Sequence, residues 1–225
     1  MYFVTSSFRT SEFPVTLCSN HPWAPLMIAD IIILNPLRCA QVAWRFSEFA
    51  CPGMEVSDDR QSATRSWSVG HSVYESVLLE PAFDSSLGRY VEWSLDHGDP
   101  FCQFILGVTA LEAAPSGAAV WTDPLSRVFC CHNSSVWPRG SAPLSWNNLE
   151  RRLTIGDRVG LLVIGGRAWV FVNGEKTGGG PMAERLPQSL RFLAGASCQG
   201  SRIGLVTATD WGETACDRVA WYIKD

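Results

Sequence analysis

The sequence is short of charge, and the charges that it has are not clustered. Only 18% of its 225 residues are Asp, Glu, Lys or Arg, and the formal net charge is -4 at pH 7. Proteins that bind the phosphate backbone of nucleic acid present clustered Lys and Arg, and no such cluster occurs here. The sequence therefore excludes nucleic acid as the main partner.

No apolar run is long enough to span a membrane. The most hydrophobic stretch, residues 26–34, is far shorter than the ~20 residues of a membrane helix, and Asp30 lies in its middle. We therefore expect no membrane span. We interpret residues 1–42 as an N-terminal arm or added strand before a domain at 43–225. The first ten residues contain one Arg and no acid, so a mitochondrial presequence is the alternative to a cytoplasmic protein.

The cysteine and histidine spacings of metal sites are also absent. The eight cysteines form no Cys-x-x-Cys pair and the four histidines are scattered, so we expect no metal and no cofactor. Several cysteines stand among large apolar residues, as in Phe101-Cys102-Gln103-Phe104. We interpret them as small buried side chains of a protein in a reducing, cytoplasmic compartment.

Helical periodicity is nearly absent, whereas strand-like runs recur. Short β-branched and aromatic runs alternate with Gly, Pro, Asp and Ser clusters, which is the spacing of an antiparallel sandwich or barrel. The predicted strands are 54–57, 62–67, 74–80, 89–96, 102–109, 127–132, 158–164, 167–173, 190–196, 202–206 and 218–223. The predicted loops are 112–124, 134–148 and 175–187.

The glycine-rich stretch 156–180 could be a phosphate loop or a hairpin. A phosphate loop needs a helix after its glycines, but Gly165-Gly166 stands between two strand-like runs and no Gly-Lys-Ser/Thr follows. A two-residue type I′ turn fits instead. This turn pairs Ile164 with Arg167, Leu162 with Trp169, and Gly160 with Phe171. We expect Gly160 to leave room for the Phe171 ring, and both faces of the hairpin to be covered.

Five motifs in order resemble the SPRY domain family. The strongest are Gly156-Asp157-x-Val159-Gly160 followed by Phe171-Val172-Asn173-Gly174, and the strand Gly88-Arg89-Tyr90-Val91-Glu92 precedes them. Gly107-Val108, the pair 54–59 with 63–65, and the pair 190–197 with 202–206 are similar to the remaining strands. The resemblance covers about residues 50–206. It implies an all-β fold, a bent antiparallel β-sandwich of the concanavalin-like type with an N-terminal arm and a short C-terminal extension.

Two features depart from that family. The first hairpin strand turns abruptly at Gly165-Gly166, and residues 208–225 run past the usual end, where we expect them to pair with the arm. The neuralized-type repeat, a related sandwich with the same Asn-Gly hairpin, is therefore an open alternative.

The residues in this sequence that could form a catalytic site have unsuitable spacing or orientation. Glu92 and Asp96 lie on one face of a strand, but the strand rise puts them ~13 Å apart, outside either spacing of glycosidase carboxylates. Cys131 and His132 are adjacent in a strand and point to opposite faces, so they cannot form a nucleophile–base pair. We therefore expect no enzyme.

Partner-binding candidates stand in loops. Trp121, Trp137 and Trp146 either plug the ends of the sandwich or, one or two of them, form a recognition rim. Trp137-Pro138-Arg139 has residue types that grip a short peptide. The resemblance implies a partner surface in loops at one end, which corresponds here to the loop around Trp121 and the turn containing Ser197 and Gln199. The candidate site residues are thus Trp121, Trp137, Arg139, Ser197 and Gln199.

Three functions remain open at this point. The first is a non-catalytic protein–protein interaction module, an adaptor or scaffold subunit that binds a protein or short peptide. The second is a lectin-like carbohydrate binder that uses Trp121 or Trp146 with Asn147 and Asn148. The third is a structural subunit of a larger assembly that docks through residues 23–37.

Overall fold

The computed structural model describes residues 43–66, 73–98, 103–138, 140–143, 146, 149 and 152–206. Their elements are β1 (Arg45–Phe46), β2 (Met54–Val56), β3 (Ser62–Arg65), β4 (Glu75–Glu80), β5 (Phe83–Asp84), β6 (Arg89–His97), β7 (Phe104–Thr109), α1 (Ala119–Thr122), β8 (Ser126–Cys130), β9 (Ser135–Trp137), β10 (Arg158–Ile164), β11 (Arg167–Val172), β12 (Glu175–Lys176), β13 (Ser189–Ala196) and β14 (Arg202–Leu205). No helix among these residues is long and apolar enough to cross a membrane.

The strands form two antiparallel sheets. The first sheet has the order β1-β4-β13-β7-β8-β9, and β5 pairs with the first residues of β13. The second sheet has the order β12-β11-β10-β6-β14-β3-β2. This arrangement confirms the prediction of an all-β antiparallel sandwich.

One hydrophobic core lies between the two sheets, because each strand presents alternate residues inward. In β13, Phe192 and Ala194 belong to this core, while Leu193 between them faces the outer side of the first sheet. Trp93 of the second sheet is fully buried, and its ring centroid lies 6.0 Å from that of Phe192 at an interplanar angle of 82°. This edge-to-face contact joins the sheets.

The hairpin β10–β11 confirms the predicted register. Ile164 pairs with Arg167, Leu162 with Trp169, and Gly160 with Phe171. Gly165 and Gly166 have φ values of 57° and 69°, the left-handed conformation that a type I′ turn requires at both positions. Both faces are covered, since Leu161 and Val170 enter the main core while Leu162, Trp169 and Phe171 form a buried cluster on the other face.

The expected role of Gly160 is wrong in one respect. The ring that fills its space is Tyr90 of the neighbouring strand β6 and not Phe171. A Cβ atom at position 160 would lie 1.9 Å from the Tyr90 hydroxyl oxygen. The Tyr90 ring in turn packs edge-on against the Phe171 ring, with the ring centroids 5.8 Å apart. Glycine at position 160 of β10 is therefore required for this contact between Tyr90 of β6 and Phe171 of β11.

Most predicted strands occur within a few residues of their expected bounds. The sequence missed β1, β5, β9 and β12, each of two or three residues, and the short helix α1 inside the predicted loop 112–124. The predicted loop 134–148 likewise begins with β9. The arm at 1–42, the strand at 218–223 and the C-terminal extension lie outside the described residues, and the domain boundary between 42 and 43 remains a prediction.

Candidate functional site

The outer face of the first sheet is apolar and covered by a loop. Leu78, Ile105, Val128 and Leu193 point outward from four neighbouring strands and pack with Val120 of α1. Because a sheet face this apolar must be covered, it holds α1 and the loop around it against the sheet. Trp121, the next residue of α1, is thereby placed on top of this layer.

Three aromatic residues form a patch on this covered face, and we call them the aromatic patch: Tyr74, Trp121 and Trp137. The Tyr74 and Trp121 ring centroids are 4.5 Å apart with an interplanar angle of 83°. Those of Trp121 and Trp137 are 5.2 Å apart at 57°. Both tryptophans remain half-buried, while Tyr74 is buried. The structure therefore brings two of the predicted binding residues into direct contact, although 16 positions separate them in the sequence.

The Trp137 ring is oriented by a short series of hydrogen bonds. Its indole Nε1 donates to the Ser135 hydroxyl at 2.8 Å, and that hydroxyl donates to Asn133 Oδ1 at 2.6 Å. The Ser135 backbone N–H also donates to Asn133 Oδ1, at 3.1 Å. Since Ser135 and Trp137 share one face of β9, the strand itself aligns these groups.

Tyr74 connects the aromatic patch with the turn after β13. Burial raises the pKa of the Tyr74 hydroxyl, which lies 4.0 Å from the Cys130 sulfur, while nearby Ser197 opposes the shift. The hydroxyl therefore stays protonated at any ordinary pH. The two regions that the sequence singled out separately, the loop around Trp121 and the turn beginning at Ser197, both reach this side chain.

The turn 197–200 contains one buried and one exposed candidate. Ser197 is fully buried, and its hydroxyl donates to Gln103 Oε1 at 2.6 Å. It shapes the turn and offers no accessible surface to a partner. Gln199 is exposed, and its Nε2 donates to the Ser66 carbonyl at 3.3 Å. Arg139 lies outside the described residues.

An exposed phenylalanine that the sequence reasoning did not single out stands next to this region. Phe49 is 84% exposed. Two residues later, the Cys51 thiol donates to the carbonyls of Ala114 and Pro115 at 3.3 and 3.4 Å. The segment that carries Phe49 therefore contacts the loop before α1. No periodic pattern marks this residue, because it is an isolated ring between Glu48 and Pro52.

Trp146 is partly buried and packs against the hydrophobic core. Its ring packs edge-on against Phe129 at 6.0 Å. A Cβ atom at Gly178 would lie 2.1 Å from the ring.

The residues weighed for catalysis are separated or engaged elsewhere. Glu92 is buried with Arg158 Nε 4.0 Å from its Oε1, and burial raises its pKa to about 7. Asp96 lies instead 3.9 Å from Arg202 Nε. Cys131 is buried in the core, whereas His132 is exposed. Across the described residues, no three His, Cys, Asp or Glu side chains come together as a metal site.

Comparison with known proteins gives no match in sequence and clear matches in structure. No family model matches the chain, and no curated protein matches it. The SPRY domain of human HERC1 matches with a TM-score of 0.57 at 14% identity, covering 72% of this chain and 97% of that one. The TRIM65 PSpry domain matches with a TM-score of 0.51 at 16% identity, covering 72% and 91%.

A neuralized-type domain matches as well. The NEUZ (NHR) domain in Neuralized from Drosophila melanogaster has a TM-score of 0.52 at 10% identity, covering 75% of this chain and 94% of that one. At these identities the likeness establishes the fold. The chain has a SPRY-like β-sandwich, which confirms the fold expected from the sequence motifs.

Proposed function

We propose that this chain, which folds as a SPRY-like β-sandwich, is a non-catalytic protein-interaction module and serves as an adaptor or scaffold subunit. The contact between the half-buried rings of Trp121 and Trp137 carries the proposal. Such rings supply large apolar area and dominate binding energy at protein interfaces. The SPRY resemblance supports the same role, and a rigid sandwich that carries specificity in its loops needs no cofactor.

The partner in this proposal is a protein or short peptide. The aromatic patch is fixed before binding, because Trp121 rests on buried Tyr74 and Trp137 donates to Ser135. Fixing a side chain in advance reduces the conformational entropy lost on binding. Arg139 follows Trp137 by two positions in the sequence and is the cationic residue of this proposal. Gln199 would add an amide at the adjoining turn.

A quantitative affinity purification tests the proposal. Trp121→Ala and Gln199→Ala should each deplete a specific partner, and the loss for Trp121→Ala should be about 30-fold or more if that ring is a binding hot spot. Leu87→Ala is the matched control: Leu87 is 46% exposed and follows β5, which pairs with the opposite end of β13 from the turn 197–200. Thermal unfolding verifies that each variant folds. If nothing is enriched over a variant with scrambled loops, the proposal fails.

The carbohydrate-binding alternative would use Trp121 or Trp146. Both rings are partly buried: Trp121 contacts Tyr74 and Trp137, and Trp146 packs edge-on against Phe129. A glycan array without hits on the wild-type chain removes this alternative. The structural-subunit alternative depends on residues 23–37, outside the described part, and size-exclusion chromatography of the isolated chain tests it, since an orphan subunit should aggregate.

We also propose that the protein works in a reducing compartment, the cytoplasm. Cys51 and Cys130 are buried free thiols. Burial raises the pKa of the Cys51 and Cys130 thiols, which keeps them protonated and unreactive. Localisation of a tagged full-length chain tests this, and import into mitochondria would contradict it.

A further inference from the structure

A second apolar cluster lies on the outer face of the second sheet, away from the core between the sheets. We call it the outer cluster: Leu162, Trp169 and Phe171, with Tyr90 and Ile164 packed against them. These side chains come from the neighbouring strands β6, β10 and β11. Phe171 is 1% exposed, Leu162 5% and Trp169 8%. The centre of the outer cluster is therefore almost completely shielded from solvent.

The described elements do not supply this shielding. Every described strand belongs to one of the two sheets, and α1 covers the first sheet. Within the described ranges, the apolar residues that pack against the buried side chains are Tyr90 and Ile164, which stand beside them on the same face. Neighbours on one face of a sheet shield each other's sides and leave the tops open, because side chains project away from the sheet. The burial of Leu162 and Trp169 therefore requires a further layer above the outer cluster.

The covered area extends to Glu92. Alternation along β6 places Glu92 on the same face as Tyr90, and in register Gly160 of β10 stands between Glu92 and Phe171. The Glu92 side chain is 1% exposed, and no described donor reaches either of its carboxylate oxygens. Since a carboxylate is hydrated wherever water reaches it, this burial indicates that the covering layer continues from the outer cluster onto β6.

The described part of the chain ends next to Glu92. The Val206 N–H donates to the Glu92 carbonyl at 3.0 Å. Because β14 and β6 are antiparallel, the chain at Val206 is directed towards Tyr90. From Glu92 to Phe171 is two strand spacings, ~10 Å, whereas the 19 residues 207–225 reach up to ~60 Å when extended. This segment, which we call the tail, thus starts beside the outer cluster and is long enough to cover it.

The arm at 1–42 joins the domain at a different place. Trp44, one of the first described residues, packs edge-on against Phe192 in the core between the sheets, with the ring centroids 5.0 Å apart. Its indole Nε1 donates to the Tyr90 carbonyl at 2.8 Å. The next strand, β1, pairs with β4 of the first sheet. The arm is therefore attached to the first sheet, whereas the tail continues a strand of the sheet that carries the outer cluster.

The tail has the residue pattern of a covering strand. Its predicted strand, 218–223, alternates so that Val219, Trp221 and Ile223 share one face. These three side chains are large and apolar, like those of the outer cluster. Packing the two apolar faces together removes both from water, which is the main stabilising contribution to such a contact.

Charge also favours the tail over the arm. The tail contains four acidic and two basic residues, whereas residues 1–42 contain two of each. Arg158 and Arg167 stand on the outer face at the two ends of the outer cluster, Arg158 beside Glu92 and Arg167 3.7 Å from Glu184. A segment of net negative charge is complementary to a surface bordered by two arginines.

We propose that the tail docks on the outer cluster of the second sheet through the face that carries Val219, Trp221 and Ile223, and that it covers Glu92. Docking removes this face of the sandwich from partner binding. The inference goes beyond the proposed function, because the aromatic patch lies on the first sheet. It also differs from the expected pairing of the tail with the arm.

Hydroxyl-radical footprinting of the full chain tests the docking, because tryptophan side chains are oxidised readily where solvent reaches them. Trp169 should be protected in the wild type. Val219→Ser combined with Trp221→Ser should raise Trp169 oxidation several-fold, because the tail loses most of its apolar face. Trp93, fully buried between the sheets, should stay protected and thereby verify the fold. If Trp169 stays protected in a folded double variant, the inference is refuted.

A matched double variant in the arm distinguishes the two terminal segments. Ile31→Ser combined with Ile33→Ser removes apolar side chains of the same spacing from the most hydrophobic run of the arm. It should leave Trp169 protected. Exposure of Trp169 in this variant would assign the cover to the arm and overturn the inference. Oxidation of wild-type Trp169 that rises on dilution would assign the cover to a second copy of the chain and overturn it as well.

Photo-crosslinking keeps the test decisive if the tail variant fails to fold. p-Benzoylphenylalanine in place of Trp221 retains a large apolar ring and should crosslink within one chain to β10 or β11. The same residue in place of Leu125, which is 47% exposed and precedes β8 of the first sheet, should not crosslink to those strands. Crosslinks from position 221 to residues 1–42, crosslinks between two chains, or none at all would each refute the docking.

The ionisation of Glu92 gives a readout that uncovering β6 alone would change. In the wild type, burial raises the pKa of Glu92 to about 7, with Arg158 opposing the shift. In the Val219→Ser, Trp221→Ser variant, water reaches the carboxyl group and its pKa should fall towards the ordinary 4.5. An NMR titration of the glutamate carboxyl carbons measures this shift. A pKa that stays at about 7 would refute the cover over Glu92.

Discussion

Glu92→Gln is the substitution whose outcome the structure fixes most sharply. The Glu92 side chain is 1% exposed, and neither carboxylate oxygen accepts a hydrogen bond from a described residue. Its only described charged partner is Arg158, whose Nε is 4.0 Å away and whose side chain is 44% exposed. Burial therefore dominates and raises the pKa of Glu92 to about 7, with Arg158 opposing the shift.

The sign of the pH dependence follows from this raised pKa. The unfolded chain has an ordinary glutamate pKa of 4.5, so between pH 4.5 and 7 the folded state binds the proton more tightly. Folding stability from this group is greatest below pH 4.5 and falls as pH rises through about 7. At ~1.4 kcal/mol for each pKa unit, the full loss is about 3 kcal/mol. Relaxation and water near half-exposed Arg158 reduce the expected loss to about 1–3 kcal/mol.

Urea denaturation of wild type and Glu92→Gln from pH 4.5 to pH 8.5 measures this effect. The glutamine variant should match wild type near pH 4.5 and become more stable by about 1–3 kcal/mol above pH 7. Asp96→Asn, a half-exposed carboxylate on the same strand, should show no comparable gain. If Glu92→Gln is least stable relative to wild type at high pH, attraction to Arg158 outweighs burial and the reasoning is refuted.

Three other substitutions test the packing by chemical denaturation. Gly160→Ala should cost about 1–3 kcal/mol, because its methyl group would collide with the Tyr90 ring; an equal cost in a Tyr90→Ala background would contradict this. Trp93→Ala should cost about 3–5 kcal/mol, since it empties the contact between the sheets; a cost below 1 kcal/mol would show that the core collapses to fill the space. Asn173→Ala should cost about 1–3 kcal/mol, because Asn173 has a φ of 51° and hydrogen-bonds to Asp157. Asn173→Gly, which suits that φ, should recover part of the loss.

Local patterns explain which parts of the fold the sequence predicts. The hairpin β10–β11 is encoded within about 15 consecutive residues, because Gly165-Gly166 sets the turn and the turn sets the register. The strands β5 and β12 have two residues each, too few to show an alternating pattern. They exist because longer neighbours offer free backbone groups, which is a property of the assembled sheet.

The candidate site depends more on distant contacts. Residue type alone singled out Trp121 and Trp137, but their contact requires the outer face of the first sheet to hold α1 in place. Ser197 resembled an exposed turn residue in the sequence. Its hydroxyl bonds to Gln103, which directly precedes β7 and lies 94 positions away, and no local pattern reveals this contact.

For the partner binding that we propose at the aromatic patch, the hydrogen bond from the Trp137 indole to Ser135 limits which ligand groups that ring can recognise. A ligand that contacts the Trp137 ring meets its aromatic carbon atoms, because the ring's one hydrogen-bond donor, Nε1, already donates to Ser135. The Trp137 ring must therefore distinguish between ligands by their shape and polarisability. Replacing a ligand's polar atoms with carbon atoms of equal size should leave its affinity unchanged. Changes in ligand outline should be penalised.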